Sequence, residues 1–185
     1  PLEVPEDQAL FSNSDVTFIT MGRLSIEKDH EKLIRAFNVV KQRYPQVKLL
    51  ILGDGPLKLS LTELIVELKL SETVKLLGRR SNPFPYLKSA NCFVLSSNHE
   101  GQPMVLIEAM IAKKPIIATD IVGNKSVMEG RPGLIVDNSI DGLIDGMIQY
   151  LSGWEDNTEF DINEYQANAI NMFYKNICGD CCVNN

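Results

Sequence analysis

Short apolar runs alternate with longer amphipathic segments along most of the chain. Residues 16–21 are rich in β-branched and aromatic side chains and stop at Gly22, which predicts a strand. Residues 30–44 then carry apolar side chains every three or four positions, which predicts a helix that ends before Pro45. The same alternation predicts strands at 47–52, 74–77, 92–95, 116–118 and 134–136, and helices at 57–68, just after Pro83, at 104–111 and at 140–151.

Strands that alternate with helices indicate a Rossmann-like α/β fold, in which a parallel sheet carries helices on both faces. Ligands of such sheets bind beyond the carboxyl ends of the strands, at a switch in strand order. We therefore expect the functional side chains in the loops that directly follow strands. After Leu151 the pattern changes: residues 152–158 are polar, and the apolar positions from Ile162 to Ile177 predict a separate C-terminal amphipathic helix.

Charge and composition exclude some classes of function. The chain has 18 Lys plus Arg against 24 Asp plus Glu, and its net charge of −6 argues against a nonspecific nucleic-acid binder. An anionic small ligand remains compatible with this balance, because a pocket needs only a few local cations. No apolar run approaches the roughly 18 residues of a membrane span, and the first residues lack the pattern of a secretory signal.

The cysteines give little reason to expect a metal. Cys92 lies in an apolar run and is expected in the core. Cys178, Cys181 and Cys182 crowd the end of the chain, and two cysteines three positions apart supply half of a zinc site. No second half is evident, so we expect a frayed tail there and no bound metal.

The loop after the first strand carries two cations, Arg23 and Lys28, and leads into a helix. Helix starts favour anions, so this pair is compatible with binding a diphosphate. A solvated surface loop explains the same residues. The third loop, which begins Gly78-Arg79, offers backbone groups to a nucleotide base, and a plain charged loop explains it equally well.

The second strand ends in Gly53-Asp54-Gly55, which is typical of dinucleotide-binding turns. The third glycine of that fingerprint would fall at Lys58, and no convincing acidic partner follows. A tight turn into a helix explains the two glycines as well.

The loop after the fourth strand is the most informative segment. Gly101 allows a ligand close to the backbone, and Pro103 suits the first turn of a helix whose free N–H groups can donate to phosphate oxygens. Glu108 places a carboxylate among apolar helical residues, where it needs a partner such as a sugar hydroxyl unless it faces solvent. We expect His99 to be an ordinary loop residue.

Three segments together resemble a known family. Residues 22–28 are similar to its G-R-L-x-x-x-K motif, residues 50–56 to its strand and G-x-G-P turn, and residues 100–110 to its E-G-x-P and E-x7-E helix. In this order, each after a strand, they resemble the carboxyl-terminal domain of retaining glycosyltransferases of the GT-B fold, glycosyltransferase family 4 or group 1. The resemblance covers about residues 16–151.

The resemblance implies roles for individual residues. Arg23 and Lys28 would hold the donor diphosphate, Glu100 would face the donor sugar, and Glu108 would bind the ribose hydroxyls. Arg23, Lys28 and Glu100 are thus the implied catalytic residues. The implied donor-binding set is Gly22, Arg23, Lys28, Gly53, Gly78, Arg79, Glu100, Gly101, Gln102, Pro103, Met104, Val105 and Glu108.

The resemblance also implies an activity and its setting. The family transfers a sugar from a nucleotide diphosphate sugar, here expected to be a UDP-sugar, with retention and without a cofactor or a bound metal. The expected product is a cell-envelope polysaccharide or related glycan. We expect a cytoplasmic protein, with peripheral association at the inner face of the plasma membrane through another domain.

A complete GT-B enzyme has two such domains, with the active site between them. We therefore expect residues 1–15 to lead in from an absent amino-terminal domain, residues 16–151 to bind the nucleotide sugar, and residues 152–185 to form a linker, the C-terminal helix and a tail. Alone, the chain is expected to bind the donor but to turn over little or nothing.

Two positions depart from the family pattern. Asp29 stands where the family often has glycine, and Gln102 stands where it often has an aromatic residue. The alternatives are a dinucleotide-binding oxidoreductase domain, a GT-B sugar epimerase or phosphorylase, and a noncatalytic interaction module.

Overall fold

The computed structural model describes Pro5 and residues 8–11, 15–154, 160–163 and 165–167. Its centre is a parallel six-stranded sheet with the strand order β3-β2-β1-β4-β5-β6. The strands are β1 Val16–Met21, β2 Val47–Leu52, β3 Val74–Gly78, β4 Cys92–Leu95, β5 Ile116–Thr119 and β6 Leu134–Val136. The helices are α1 His30–Arg43, α2 Lys58–Glu67, α3 Phe84–Ser89, α4 Met104–Ile111, α5 Val122–Met128 and α6 Ile140–Leu151.

The sheet separates two apolar cores, because successive strand residues point to opposite faces. On one face, Phe18 and Leu49 pack with residues of α1, α2 and α6. On the other face, Ile19 and Leu50 pack with residues of α3, α4 and α5. Fully buried strand side chains such as Phe18 and Ile19 each contribute roughly 1.5–3 kcal/mol of apolar burial. The predicted Rossmann-like fold with helices on both faces is confirmed.

Most predicted elements agree with the structure within one or two residues. α1 ends at Arg43 and not at Tyr44, whose N–H caps the helix by donating to the Val40 carbonyl. Cys92 is buried, as predicted. The sequence patterns failed to predict α5, because its start, Val122-Gly123-Asn124, consists of residues that do not favour helices and gives no apolar period.

The strand order switches direction between β1 and β4. β2 and β3 lie on one side of this pair and β5 and β6 on the other, since the chain crosses from the edge strand β3 to the centre of the sheet. The switch point therefore lies beyond the carboxyl ends of β1 and β4, beside the loops that follow these two strands. Arg23 and Lys28 lie in the first of these loops, and Glu100 lies in the second.

The segment after α6 returns to the sheet. Phe160 and Tyr165 pack against the core on the α3–α4–α5 face, and residues 162–163 and 165–167 are helical. The rest of the predicted C-terminal helix and Cys178, Cys181 and Cys182 lie outside the described residues. Among the residues that the structure describes, no helix has the length and apolar character needed to cross a membrane. The predicted domain limits stay predictions.

Candidate active site

The loops after β1 and β4 meet through an ion pair. The Lys28 ammonium donates a hydrogen bond to Glu100 Oε1, and the side chains are 19% and 10% exposed. The hydroxyl of the buried Ser97 donates to the same carboxylate oxygen at 2.6 Å. Two residues that the sequence assigns to the site therefore lie in direct contact at the switch point.

Further hydrogen bonds fix these two loops against each other. The Ser96 hydroxyl donates to the Lys28 carbonyl at 2.9 Å, and the Asn98 N–H donates to the Glu27 carbonyl at 2.8 Å. From β5, the Thr119 hydroxyl donates to the Ser97 carbonyl at 2.7 Å. Because these bonds bracket Lys28 and Glu100, the backbone holds both residues at a set spacing.

A cleft of about 440 Å³ opens beyond the carboxyl ends of β1, β2 and β3. This volume lies in the range of small-molecule sites. Lys28 adjoins the cleft, since a Cβ added to Gly22, which lines it, would lie 3.2 Å from Lys28 Cδ. The lining consists of Met21, Gly22, Arg23, Leu52, Gly53, Asp54, Arg79, Arg80, Pro83, Val105 and Glu108.

Glu108 lines this cleft and does not simply face bulk solvent. Desolvation by burial raises the pKa of its carboxyl above the ordinary value. Within the described residues, no ion pair or side-chain hydrogen bond reaches this carboxylate. Such a group gains from a ligand that donates hydroxyl protons, because hydrogen bonds to the ionised form favour it.

The Gly53-Asp54-Gly55 turn owes its glycines to backbone packing. A Cβ on Gly53, whose φ is +144°, would lie 1.8 Å from the Gly22 carbonyl oxygen, and a Cβ on Gly55 would lie 2.5 Å from the Leu24 carbonyl oxygen. The Leu24 N–H also donates to the Asp54 carbonyl at 3.1 Å. This geometry supports the tight-turn alternative for the two glycines, although Gly53 also lines the cleft.

The third loop contributes arginines to the same cleft. Gly78 has φ +69°, and its carbonyl accepts from the Gly53 N–H at 2.9 Å, which brings Arg79 beside the second loop. Arg80, which the sequence analysis did not assign, also lines the cleft and donates from Nε to the Tyr86 hydroxyl at 2.9 Å. Its position next to Arg79, directly after a strand, was the available signal.

The predicted segment 101–105 divides into two parts. Val105 lines the cleft, whereas Gly101, Gln102, Pro103 and Met104 do not. Gly101 has open space around it, and the Met104 N–H already donates to the Gln102 carbonyl at 2.9 Å. The Gln102 amide lies 3.5 Å from the hydroxyl of Tyr165. Phosphate binding by the start of α4 therefore stays a prediction, in which the Met104 N–H is already engaged.

The helix α5, which the sequence did not predict, packs against the loop that contains Glu100. A Cβ on Gly123 would lie 2.3 Å from the Glu100 carbonyl oxygen, so α5 contacts this loop backbone to backbone. The fully buried Asn124 donates from Nδ2 to the Thr119 carbonyl at 2.9 Å. No periodic pattern in the sequence predicts α5 or its contact with the Glu100 loop.

The histidines of the site region differ in exposure. His30 is 2% exposed, and desolvation together with the nearby Lys28 charge lowers its pKa to about 4, so its ring is neutral near pH 7. His99 is exposed, and its N–H lies 3.4 Å from the Glu27 carbonyl. In the part of the chain that the structure describes, no group of three or more His, Cys, Asp or Glu residues is arranged to hold a metal ion.

Comparison with known proteins places the chain in a family. The family model described as glycosyl transferases group 1 matches residues 5–167. The chain is 45% identical over 142 residues to an uncharacterized glycosyltransferase of Methanocaldococcus jannaschii, which covers 76% of this chain and 34% of that relative. It is 41% identical over 115 residues to a Campylobacter jejuni N-acetylgalactosamine-N,N'-diacetylbacillosaminyl-diphospho-undecaprenol 4-alpha-N-acetylgalactosaminyltransferase, which covers 62% of this chain and 30% of that relative.

The fold also resembles solved structures. A mutant of S. aureus TarM, in complex with fondaparinux, alpha-GlcNAc-glycerol and UDP, superimposes with a TM-score of 0.70 at 27% identity, over 82% of this chain and 30% of that chain. The present chain spans about a third of the length of the curated relatives that it matches. Because the family model covers most of the sequence, including all six strands of the sheet, the chain belongs to the glycosyl transferases group 1 family.

Proposed function

We propose that this chain is the donor-binding half of a retaining glycosyltransferase that uses a nucleoside diphosphate sugar. One observation carries the proposal: Arg23, Lys28, Glu100 and Glu108, which follow two different strands, surround one region beyond the strand ends. Arg23 and Glu108 line the cleft, and Lys28 and Glu100 pair beside it. Cations beside carboxylates are the complement of a diphosphate that lies between a ribose and a hexose.

The donor is proposed to lie across this region from base to sugar. Its base would lie near Arg79, and its ribose hydroxyls would donate to Glu108, both of which line the cleft. Its diphosphate would bind Arg23 and Lys28, where each charge-assisted hydrogen bond contributes about 1.5–3 kcal/mol. Its sugar would then reach the segment of Glu100 and Gly101, and a Cβ added to Gly101 would meet nothing within 4 Å.

Donor binding changes the partner of Lys28. Glu100 pairs with the Lys28 ammonium in the structure. The diphosphate carries more negative charge than one carboxylate, so it would take over Lys28 and release Glu100 to accept a hydrogen bond from a sugar hydroxyl. Ser97, which already donates to Glu100, would keep the carboxylate oriented during this exchange.

The proposed reaction breaks the bond between the anomeric carbon and the phosphate oxygen and forms a bond from the same face to the acceptor hydroxyl oxygen. The acceptor proton passes to the departing phosphate oxygen. Arg23 and Lys28 stabilise the charge that develops on the leaving diphosphate. Two fixed cations supply the stabilisation that a divalent ion provides elsewhere, and we propose on that basis that transfer proceeds without a metal.

The relatives support the choice of donor and acceptor. The TarM structure contains UDP, and we propose UDP as the nucleotide of this chain. The name of the Campylobacter jejuni relative specifies a sugar acceptor linked to diphospho-undecaprenol, and another relative is a Staphylococcus aureus poly(ribitol-phosphate) alpha-N-acetylglucosaminyltransferase. We propose an envelope glycan acceptor, bound by an amino-terminal domain that associates with the cytoplasmic face of the membrane.

Calorimetric titration of this chain with UDP, GDP, CDP, ADP and NAD tests the proposal. We expect saturable binding of one nucleoside diphosphate, UDP, and at least about tenfold weaker binding by Glu108→Ala, because the ribose hydroxyls lose their acceptor. Glu67→Ala is the control, because Glu67 is an exposed residue at the C-terminal end of α2, and this variant should bind UDP as tightly as the wild type does. Binding of NAD alone would favour the oxidoreductase alternative, and binding of no nucleotide would contradict a donor site in this chain.

A further inference from the structure

A second set of polar side chains lies next to the loops that carry the Lys28–Glu100 pair. Asp29, Lys32, Asn98 and Asn138, here called the Lys32 cluster, come from the loop before α1, from α1 itself, from the loop before α4 and from the loop before α6. None of the four residues lines the cleft. They nevertheless bond to one another across three loops.

Asp29 occupies the position where the family often has glycine, and its backbone explains why that matters. Its φ of 45° and ψ of 54° place it in the left-handed region, which costs most non-glycine residues roughly 1–2 kcal/mol and costs Asp less. Its carboxylate offsets this cost. Oδ1 accepts from the Lys32 N–H at 3.1 Å as a helix cap, and Oδ2 accepts from Asn98 Nδ2 at 2.8 Å.

The Lys32 ammonium is at the centre of the cluster. It donates to Asn98 Oδ1 at 2.6 Å and to Asn138 Oδ1, and it lies 3.4 Å from Asp29 Oδ2. An ammonium has three N–H donors, and three oxygens surround this one. Lys32 is only 8% exposed, and desolvation lowers the pKa of its amine. A buried cation of this kind is costly unless all its partners are in place.

The cluster is connected to the proposed donor site through the backbone. Asp29 directly follows Lys28, and Asn98 precedes Glu100 by two residues. The Lys32 ammonium thus joins the two loops that carry the ion pair, and through Asn138 it also joins the loop before α6, which packs against α1. A shift of about 1 Å in such a pair is enough to cost up to about a hundredfold in function.

We propose that Lys32 is a positioning residue, whose bonds to Asp29, Asn98 and Asn138 set the spacing of the Lys28 and Glu100 loops for the donor diphosphate. The inference rests on the proposed donor site. It predicts that Lys32 affects the binding of a diphosphate more than the binding of a monophosphate, because the diphosphate presents one more phosphate group, and more negative charge, to Lys28.

The test compares the affinities of UDP and UMP for this chain and for Lys32→Met, together with the thermal midpoint of each protein. We expect Lys32→Met to lower the ratio of UDP affinity to UMP affinity about tenfold. Asp29→Gly keeps a backbone that favours the left-handed region but removes the carboxylate, so we expect it to lower the same ratio.

Lys41→Met is the matched control. Lys41 lies on the same helix, and its ammonium bonds to the Val47 carbonyl at 3.3 Å, far along α1 from Asp29. We expect this variant to lower the thermal midpoint without changing the UDP-to-UMP ratio. A merely stabilising role for Lys32 would make Lys32→Met behave in the same way as Lys41→Met.

The outcomes separate the two proposals. If the wild type binds UDP no better than UMP, the proposed diphosphate site itself fails. If the wild type prefers UDP and a folded Lys32→Met keeps that preference within about twofold, the positioning role is overturned. Should Lys32→Met not fold, Asn138→Ala decides, because it removes one acceptor from an exposed loop and is expected to lower the ratio by about threefold.

Discussion

The loop after β1 has two neighbours, and it contacts them in different ways. Toward β2 it meets the Gly53–Gly55 turn through backbone atoms so closely that a single Cβ does not fit. Toward β4 it meets Ser96 to Glu100 through backbone hydrogen bonds to the Glu27 carbonyl and through side chains, including the Lys28–Glu100 ion pair. The backbone contact toward β2 cannot change without moving the sheet, whereas a ligand can replace Glu100 as the partner of Lys28. The contact toward β2 therefore fixes the position of the loop, and the ion pair toward β4 can open to bind a ligand.

Gly53→Ala tests the contact toward β2 and should have the largest effect. The new methyl group would lie 1.8 Å from the Gly22 carbonyl oxygen at a φ of +144°, which side chains rarely adopt. We expect a loss of at least about 3 kcal/mol in the free energy of unfolding, measured by urea denaturation.

Gly101→Ala is the matched control, since a Cβ at Gly101 meets nothing within 4 Å. We expect its free energy of unfolding to change by less than about 0.5 kcal/mol. Equal losses in the two variants would mean that the two sides of the loop do not differ in rigidity.

Lys28→Met tests the ion pair toward β4. The variant removes one of the two proposed diphosphate cations, so we expect the affinity for UDP to fall about ten- to hundredfold, with less than about 1 kcal/mol lost in the free energy of unfolding. Titration calorimetry and urea denaturation measure the two quantities. Lys88→Met, at the exposed end of α3, is the control, and a Lys28→Met protein that binds UDP normally would contradict the role of Lys28.

Glu100→Gln should change the same affinity in the opposite direction. Because Glu100 pairs with the Lys28 ammonium, its neutral analogue leaves Lys28 more available to phosphate. We expect UDP to bind about fivefold more tightly, which corresponds to ~1 kcal/mol for a partly exposed ion pair. Glu67→Gln should leave the affinity unchanged, and weaker binding by Glu100→Gln would show that the two partners do not compete.

The fold followed from the sequence because its strands are continuous apolar runs with clear stops. Gly22 and Gly53 end β1 and β2 where predicted, since a local signal fixes each end. α5 was not predicted because its residue Gly123 has a low helix propensity. This glycine instead allows a close backbone contact with Glu100, a residue distant in the sequence. Local patterns report local energies, and α5 is held mainly by tertiary contacts.

The site was predictable only as a set of residues. Spacing along the chain placed Arg23, Glu100 and Glu108 after strands, but it gave no indication that Glu100 pairs with Lys28. The Lys32 cluster was equally hidden, because its bonds join residues that lie 66 and 106 positions apart. Only Asp29 carried a local signal, as a residue type that commonly caps helices.

Glu108→Gln should produce the smallest change, and it concerns a carboxylate that belongs to neither kind of contact. Burial raises the pKa of Glu108 above its ordinary 4.5, so the folded state binds this proton more tightly than the unfolded state does. The ionised carboxylate therefore destabilises the fold, fully at pH values above the folded pKa and not at all well below 4.5. We expect Glu108→Gln to raise the free energy of unfolding by roughly 0.5 kcal/mol at pH 8, after solvent screening, and to change it little at pH 3.5.

Urea denaturation at the two pH values measures this difference, with Glu67→Gln as the exposed control. A loss of stability at pH 8 would show that Glu108 has a favourable partner within the protein, as Lys28 has. The expected gain would instead mean that the carboxylate is kept in the cleft at a cost to stability. A group that weakens the fold and lines a cleft is explained by a ligand that would satisfy it, and the proposed ribose hydroxyls would supply the donors that the described residues do not.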